Sequence, residues 1–204
     1  MANEIFGNGI QSRAEQRELK RLAILRMAAQ MFNESSFHKT TLTDLATRLN
    51  VTKPTLYYYV KNKDDILGGI LEIAMQQLRE VIHQEPNEEL TGFEQLYAFF
   101  KLYAAVMTDD FGANLILTRI HALEGRFREQ YHTASREVLT AVQQMIDTGI
   151  ADGSIAPCDP KYTASALLAT VNETVYWYLV ERKDSPEETA DFFFKVFEFG
   201  LRPR

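Results

Sequence analysis

The 204-residue sequence has few of the features that mark membrane, secreted or disulfide-bonded proteins. It contains no apolar run near the roughly 18 residues that a membrane span needs. Its first residues lack the basic stretch and the apolar segment of a secretory signal. Its one cysteine, Cys158, has no partner in the chain, which excludes an internal disulfide framework. These absences predict a cytoplasmic protein without membrane contact.

The sequence also has little that would support catalysis. Its four histidines, His38, His83, His121 and His132, do not have the spacing of a metal site, in which two ligands lie on successive helical turns beside a carboxylate. Cys158 has no base near it in the sequence, and there is no glycine-rich phosphate loop or nucleophile elbow. We therefore predict no metal, no cofactor and no catalytic residue, and a helical enzyme is the weaker interpretation.

The charge of the chain is distributed unevenly. The net charge of −6, taken alone, argues against nucleic-acid binding. Residues 1–65, however, carry ten Lys and Arg against seven Asp and Glu, whereas residues 66–204 carry 12 against 21. A polyanion responds to the electrostatic field of protein charges within a Debye length of roughly 8–10 Å. The mildly basic N-terminal part can therefore bind a polyanion although the rest of the chain is acidic. A chance excess of positive charge is the alternative.

Apolar residues recur every three or four positions almost throughout the chain, which is the period of an α-helix, and no convincing strand is present. The sequence predicts an all-α fold of three short helices followed by six more. The first helix is expected from Arg17 to Phe32, with an apolar stripe formed by Leu22, Leu25, Ala28, Ala29 and Phe32. Capping residues that mark helix starts are Thr41, Thr52, Asn62, Thr91, Asp159 and Ser185.

Two of the short helices are joined by a tight turn. The first ends near Leu49, and Asn50 tolerates the left-handed backbone of the turn. Thr52 then caps the next helix, with Pro54 in its first turn. This length and turn chemistry are those of a helix-turn-helix, whose second helix enters the major groove of DNA.

The segment 21–67 resembles the N-terminal DNA-binding domain of the TetR family of bacterial transcriptional regulators. The matching motifs are Ala29-x-x-Phe32, Thr40-Thr41-x-x-Asp44-x-Ala46, Val51-Thr-x-x-Thr-Leu-Tyr57 and Lys61-x-Lys63-Asp-x-Ile-Leu67. The family usually has glycine where Ser36 and Asn50 stand, at helix ends that need a positive φ. The resemblance implies a three-helix DNA-binding domain at residues 1–65 and a six-helix effector-binding and dimerisation domain at residues 66–204.

Helical geometry orients the side chains of the recognition helix. Leu56 and Val60 are four residues apart and face inward, which turns the other side chains away from the core. Base edges are contacted by the N-terminal side chains of such a helix, so Lys53 and Thr55 are the predicted readers. Thr52 joins them in the predicted interface, and the resemblance adds phosphate or groove contacts from Tyr57 and Tyr58. Surface packing within a small domain is the alternative for the tyrosines.

Phosphate contacts are predicted at two helix starts and in one basic segment. Lys63 lies beside the first turn of the fourth helix, where free amides attract an anion, and Thr41 has the same place in the second helix. A basic N-terminal arm that can follow phosphates or enter a minor groove consists of Arg13, Arg17, Lys20 and Arg21. A solvated charge run is the alternative for the arm.

The C-terminal sequence predicts a homodimer. A helix-turn-helix dimer needs its recognition helices about 34 Å apart, so residues beyond 67 must hold two copies together. The last helix has five phenylalanines within eight residues, too many to bury against one neighbour, and the preceding helix is apolar nearly all round. The predicted interface consists of Leu168, Val171, Phe192, Phe193, Val196 and Phe197. A monomer with a thick core is the alternative.

The middle helices are rich in large amphipathic side chains, and helical bundles build ligand pockets between facing helices. The predicted effector pocket consists of Phe100, Tyr103, Met107, His121, Asn172, Tyr176 and Trp177. The alternative for each aromatic residue is a place in the core, which is the commoner one for such side chains, and the alternative for His121 is a core histidine with satisfied hydrogen bonds. Asn172 interrupts an apolar run and needs a partner, which can be a ligand, another side chain or a second subunit.

Together these features favour a ligand-responsive regulator that binds a palindromic operator in double-stranded DNA as a dimer. The leading hypothesis is a repressor that a small hydrophobic or aromatic effector releases. The resemblance equally allows an activator or a regulator without an effector. A module that docks a basic protein through its acidic body is the remaining interpretation from another class.

Overall fold

The structure is a computed structural model that describes residues 13–84, 87, 89–117, 126–181 and 185–201. Within these residues every regular element is an α-helix, so the all-α prediction is confirmed. The helices are α1 (Arg13–Ser35), α2 (Leu42–Arg48), α3 (Lys53–Tyr57), α4 (Lys63–Ile82), α5 (Gly92–Thr108), α6 (Asp110–Leu117), α7 (Arg126–Asp152), α8 (Pro160–Glu181) and α9 (Pro186–Leu201). No helix in the described ranges is long and apolar enough to cross a membrane.

The chain divides between Gly69 and Ile70 into two compact units. The first unit contains α1, α2, α3 and the first two turns of α4, and the second contains the remainder of α4 and α5 to α9. The sequence predicted a boundary after residue 65, shortly after the start of the same helix. The roles assigned to the two parts remain predictions.

The first unit is built around the buried face of α1. Its core contains Leu25, Ala28, Ala29 and Phe32 from α1 together with Leu45, Ala46, Leu56, Val60 and Ile66. The prediction for Leu22 was wrong, because this side chain is 41% exposed, whereas Ile24 and Met31 are buried. Leu22 precedes Ala28 by six residues, which places it about 120° around the helix from the centre of the buried face.

Local chemistry sets the helix ends as predicted. Thr41 with Asp44 and Thr91 with Glu94 form capping boxes, and Ser185 exchanges the corresponding hydrogen bonds with Glu188. The two non-glycine residues with positive φ among those described are Ser36 (74°) and Asn50 (53°), the positions at which the sequence predicted a left-handed turn.

The second unit has α5 at its centre, packed against α6, α7, α8 and α9. Phe194 of α9 lies among three aromatic rings of α5, with centroid distances of 5.3 Å to Phe93, 4.8 Å to Tyr97 and 5.4 Å to Phe100. The start of α5 approaches α7 so closely that a Cβ atom on Gly92 would lie 2.1 Å from the amide nitrogen of Gly149. This crossing therefore requires glycine.

Candidate nucleic-acid interface and ligand sites

The recognition helix α3 presents an exposed polar and aromatic face. Leu56 and Val60 are buried, as the four-residue spacing predicted. Tyr57 is 53% exposed and Tyr58 66% exposed. Thr52, Lys53, Pro54 and Thr55 at the start of the helix are exposed as well. The side chains predicted to contact DNA are therefore accessible, but their contact with DNA stays a prediction.

The start of α3 is held by threonine hydroxyls. Thr52 Oγ1 accepts the Thr55 amide hydrogen at 3.3 Å and lies 2.8 Å from Thr55 Oγ1, so the two hydroxyls share a hydrogen bond. Lys53 and Pro54 occupy the first turn, as the capping pattern predicted. The Thr55 hydroxyl, which is predicted to contact a base, is thus oriented by Thr52, the capping residue of the same helix.

Thr41 at the start of α2 is already engaged within the protein. Its amide donates to the Asp44 carboxylate at 3.0 Å, and its hydroxyl donates to the same oxygen at 2.6 Å. The hydroxyl and then the amide lower the pKa of Asp44 below its ordinary value. The chain therefore supplies its own anion at this helix start, and the predicted phosphate contact of Thr41 remains untested.

Lys63 has partners that the sequence did not indicate. Its ammonium donates to the carbonyl oxygens of Thr40 (3.0 Å) and His38 (3.5 Å) and lies 4.3 Å from the ring centroid of Phe37. These contacts hold the connection between α1 and α2 against the start of α4. Because an ammonium has three donors, a phosphate contact remains possible as a prediction beside this structural role.

The predicted basic arm is helical from its first residue. Arg13, Arg17, Lys20 and Arg21 all lie within α1, which begins four residues earlier than predicted, and their phosphate contacts stay a prediction. The Arg17 guanidinium carbon lies 5.5 Å from the ring centroid of Tyr58. Arg21 is bound to Tyr59 and Asp65 within the first unit. Arg13 and Lys20 are exposed, as a phosphate-contacting residue must be.

The residues of the predicted effector pocket do not share one environment. Phe100, Tyr103 and Met107 are buried in α5, whereas Tyr176 is 48% exposed. His121 and the Trp177 side chain lie outside the part of the chain that the structure describes. The partner that Asn172 needed is another side chain, because the Tyr103 hydroxyl donates to its Oδ1 at 2.9 Å. Burial raises the pKa of Tyr103, so this hydroxyl is neutral and donates.

Described residues of the second unit line open cavities away from that Tyr103–Asn172 pair, and two of these cavities are large enough for a small molecule. One, of about 490 Å³, has no charged side chain among the described residues that line it, which include Val81, Leu90, Phe99, Leu102, Gln144 and Met145. The other, of about 690 Å³, is lined by aromatic and charged groups that include Phe93, Glu94, Tyr97, Asp191, Lys195 and Glu198. In the latter, the Tyr97 hydroxyl donates to Asp191 at 2.6 Å, which with burial and the nearby negative charges raises the pKa of Tyr97 to about 12.

The described part of the chain has no group of three His, Cys, Asp or Glu side chains that could hold a metal ion.

The last two helices expose an apolar face. Phe192, Val196 and Phe199 of α9 are 65, 64 and 82% exposed and follow one another at spacings of four and three residues. Along α8 the exposed residues with the same helical spacing are Tyr162, Ala166, Ala169 and Tyr176. Sequence analysis missed Phe199 and Tyr162, although their spacing from neighbouring apolar residues would have identified them.

The other residues of the predicted interface are less accessible. Val171 is only 2% exposed and packs inside the subunit, so its prediction as an interface residue was wrong. It lies on the buried side of α8 with Ala164, Leu167 and Val175, which are four or seven residues away. Leu168, Phe193 and Phe197 are half-buried.

Comparison with known proteins agrees with this architecture. Residues 24–70 match the model of the bacterial regulatory proteins of the tetR family, and residues 89–201 match the tetracyclin repressor-like C-terminal domain. The second match covers more than half of the chain. The chain therefore belongs to the TetR family, whose members are DNA-binding transcriptional regulators and not enzymes.

Individual relatives are distant. The chain is 25% identical over 146 residues to the HTH-type transcriptional regulator YhgD of Bacillus subtilis, covering 71% of this chain and 76% of that one. It is 23% identical over 173 residues to the fatty acid metabolism regulator protein of the same species, covering 83% and 89%. The crystal structure of AibR with isovaleryl coenzyme A and operator DNA superimposes with a TM-score of 0.70 at 21% identity, covering 87% and 97%.

Proposed function

We propose that the protein is a homodimeric repressor that binds a palindromic DNA operator and is released by a small hydrophobic or aromatic effector. In this proposal residues 1–65 bind DNA, and residues 66–204 bind the effector and form the dimer. Operator binding would keep the protein in the bacterial cytoplasm with the chromosome.

The observation that carries the proposal is the exposed face of α3. A capped helix-turn-helix with Leu56 and Val60 buried leaves Lys53, Thr55 and Tyr58 free to meet a major groove. The side chains available there have the chemistry for the task, since lysine pairs with guanine acceptors and threonine contacts bases or methyl groups.

Dimerisation is supported by the exposed apolar face of α8 and α9. Three large side chains of α9, Phe192, Val196 and Phe199, are more than 60% exposed. Exposed apolar patches of this kind commonly mark protein interfaces. A twofold axis through this face would use the same residues from both subunits, as an isologous dimer does.

An apolar effector is supported by the cavity between the end of α4, α5 and α7, whose described lining residues carry no charge. Its volume of about 490 Å³ lies within the usual range for small-molecule sites. Apolar side chains such as Phe99 and Met145 dominate its lining, and Gln144 offers a carboxamide for one polar group of the ligand. The AibR complex with isovaleryl coenzyme A shows an acylated ligand bound by a protein of similar fold.

The DNA-binding proposal is tested by selecting duplexes from a random pool with the wild-type protein and measuring their affinities across a salt series. Lys53→Ala and Thr55→Ala should change the selected sequence. Lys63→Met should weaken all duplexes about equally and flatten the salt slope by roughly one. Lys39→Met, at an exposed lysine, is the matched control. The proposal fails when the wild-type protein enriches no duplex, or when all four variants behave alike.

A further inference from the structure

Arg21 joins three elements of the first unit. Its Nη1 atom donates to the carbonyl oxygen of Tyr59 at 2.9 Å, and its guanidinium contacts the two oxygens of Asp65 at 3.3 Å each. The two side chains are 26% and 27% exposed. Tyr59 lies just beyond α3 and Asp65 lies in the first turn of α4. One side chain of α1 thus holds the end of the recognition helix and the start of the following helix.

Asp65 extends this connection to the turn between α3 and α4. Its Oδ2 accepts the Lys61 amide hydrogen at 2.9 Å, while its own amide donates to Asn62 Oδ1 at 2.7 Å. Burial alone would raise the pKa of Asp65, but the Lys61 amide and the Arg21 guanidinium together lower it below its ordinary value. The carboxylate is therefore ionised at neutral pH and fixes the backbone of the turn.

The neighbouring turns of α1 make equally specific contacts. A Cβ atom on Gly69 would lie 2.9 Å from Leu25 Cδ1 and 3.4 Å from Arg21 Nη2, so α1 and α4 approach closely here. Leu25 follows Arg21 by four residues, and Gly69 follows Asp65 by four, so the two contacts lie one turn apart. One turn before Arg21, Arg17 lies over the ring of Tyr58.

The recognition helix depends on such contacts because it is short. With only five residues, α3 cannot be stable alone, and its orientation must come from the elements around it. A guanidinium suits this role, because its planar donors can bind a carboxylate and a carbonyl oxygen at once, which a lysine ammonium cannot do in the same geometry.

We infer that Arg21 and Asp65 are positioning residues that orient the recognition helix, and that Arg21 is not a phosphate ligand. This inference rests on the proposed DNA-binding function. The charge of Arg21 is neutralised by Asp65, so its contribution to counterion release on DNA binding is small. Loss of the pair lowers the affinity for the selected sequence and leaves binding to unrelated sequence unchanged.

The experiment compares Arg21→Gln, Arg21→Lys, Asp65→Asn and the double variant Arg21→Gln with Asp65→Asn. Each is titrated with the duplex that the wild-type protein selects and with a scrambled duplex of equal length, at several salt concentrations. Arg13→Gln is the matched control, because Arg13 is an exposed arginine of the same helix. Melting temperatures are measured first, and titrations are run well below the lowest of them.

Each single variant should lose about tenfold affinity for the selected duplex, with no change in salt slope or in scrambled-duplex binding. The double variant should lose no more than either single variant, since both act through one contact. Arg21→Lys should resemble Arg21→Gln, whereas Arg13→Gln should flatten the salt slope by about one.

Three results would overturn the inference: wild-type affinity in Arg21→Lys, a flattened slope in Arg21→Gln, or tighter binding in Asp65→Asn. Each would identify Arg21 as a phosphate ligand or as dispensable. Failure of the wild-type protein to prefer any duplex would instead refute the proposed function. The two failures are therefore distinguishable.

Discussion

Ser36 holds a backbone conformation that L-amino acids rarely adopt. It ends α1 with φ of 74°, and its amide donates to the Phe32 carbonyl oxygen at 2.8 Å. The left-handed region costs a residue with a Cβ atom roughly 1–2 kcal/mol, whereas glycine avoids this cost but loses more entropy on folding. Ser36→Gly should therefore stabilise the protein by about 0.5–1 kcal/mol, measured from urea unfolding midpoints.

The neighbouring Ser35 supplies the control for that substitution. Ser35 is exposed and is the last residue of α1, where the backbone is helical. Ser35→Gly should be neutral or slightly destabilising, because glycine disfavours helices. Equal effects of the two substitutions would show that the positive φ of Ser36 carries no strain.

At the residue scale, short-range chemistry was predictable and long-range pairing was not. The positive φ of Asn50, the burial of Leu56 and the exposure of Tyr58 follow from turn chemistry and helical spacing. The partners of Arg21 do not, because Asp65 lies 44 residues away and nothing in the local sequence connects the two. From the sequence alone, Arg21 was therefore assigned to the basic arm together with Arg13, Arg17 and Lys20.

At the scale of elements, most helix starts are fixed by one side chain that binds backbone amides. The sequence alone identified the caps of α2, α5 and α9, because in each of them the cap and its acidic partner are three residues apart. It was harder to predict which side chains of a helix are buried against a neighbouring helix, as Leu22 illustrates. A stripe of apolar residues defines a helical face only to within about one position, and tertiary packing decides which edge is buried.

The capping carboxylates predict how stability depends on pH. Among the carboxylates that accept hydrogen bonds from amides at or near helix starts, five have a lowered pKa: Asp44, Asp65, Glu94, Asp152 and Glu188. Because the folded pKa lies below the unfolded value, each adds stability above that unfolded value, which is 3.8 for Asp and 4.5 for Glu. The added stability is lost as pH falls through the folded pKa.

Glu94→Gln tests this linkage at one cap. Hydrogen bonds from the Thr91 amide and then its hydroxyl lower the pKa of Glu94, and the substitution removes the charge that they stabilise. The variant should be less stable than the wild type at pH 6, and the difference should shrink as pH falls below about 4. Urea unfolding between pH 6 and 3 measures it. A constant difference across this range would contradict the assignment.

At the scale of the whole molecule, the sequence identified the family, the two-part organisation and the apolar C-terminal face, but not the cavities of the second unit. The motifs of the first unit have fixed spacing, so they identify a helix-turn-helix without a structure. The second unit gives only an abundance of aromatic side chains, and periodicity does not separate a core ring such as Phe100 from a cavity wall such as Phe99. That distinction depends on the volumes left between packed helices.

The exposed face of α9 leads to a prediction for assembly. Val196→Glu should convert the proposed dimer to a monomer, because it places a charge where an apolar side chain would be desolvated at the interface. Val196 is 64% exposed in the single chain, so folding of the subunit should change little. Thr140→Glu, which adds the same charge at an exposed residue of α7 outside the described cavity linings, should remain dimeric. Sedimentation velocity distinguishes the two states.

The same pair of variants connects assembly to DNA binding. A palindromic duplex gains from two recognition helices held together, since the second contact becomes intramolecular. Val196→Glu should therefore lose most of its affinity for the full palindrome while its affinity for an isolated half-site stays unchanged. Thr140→Glu should match the wild type on both. If Val196→Glu sediments as a dimer, or binds the palindrome as tightly as the wild type, then the interface lies elsewhere on the second unit.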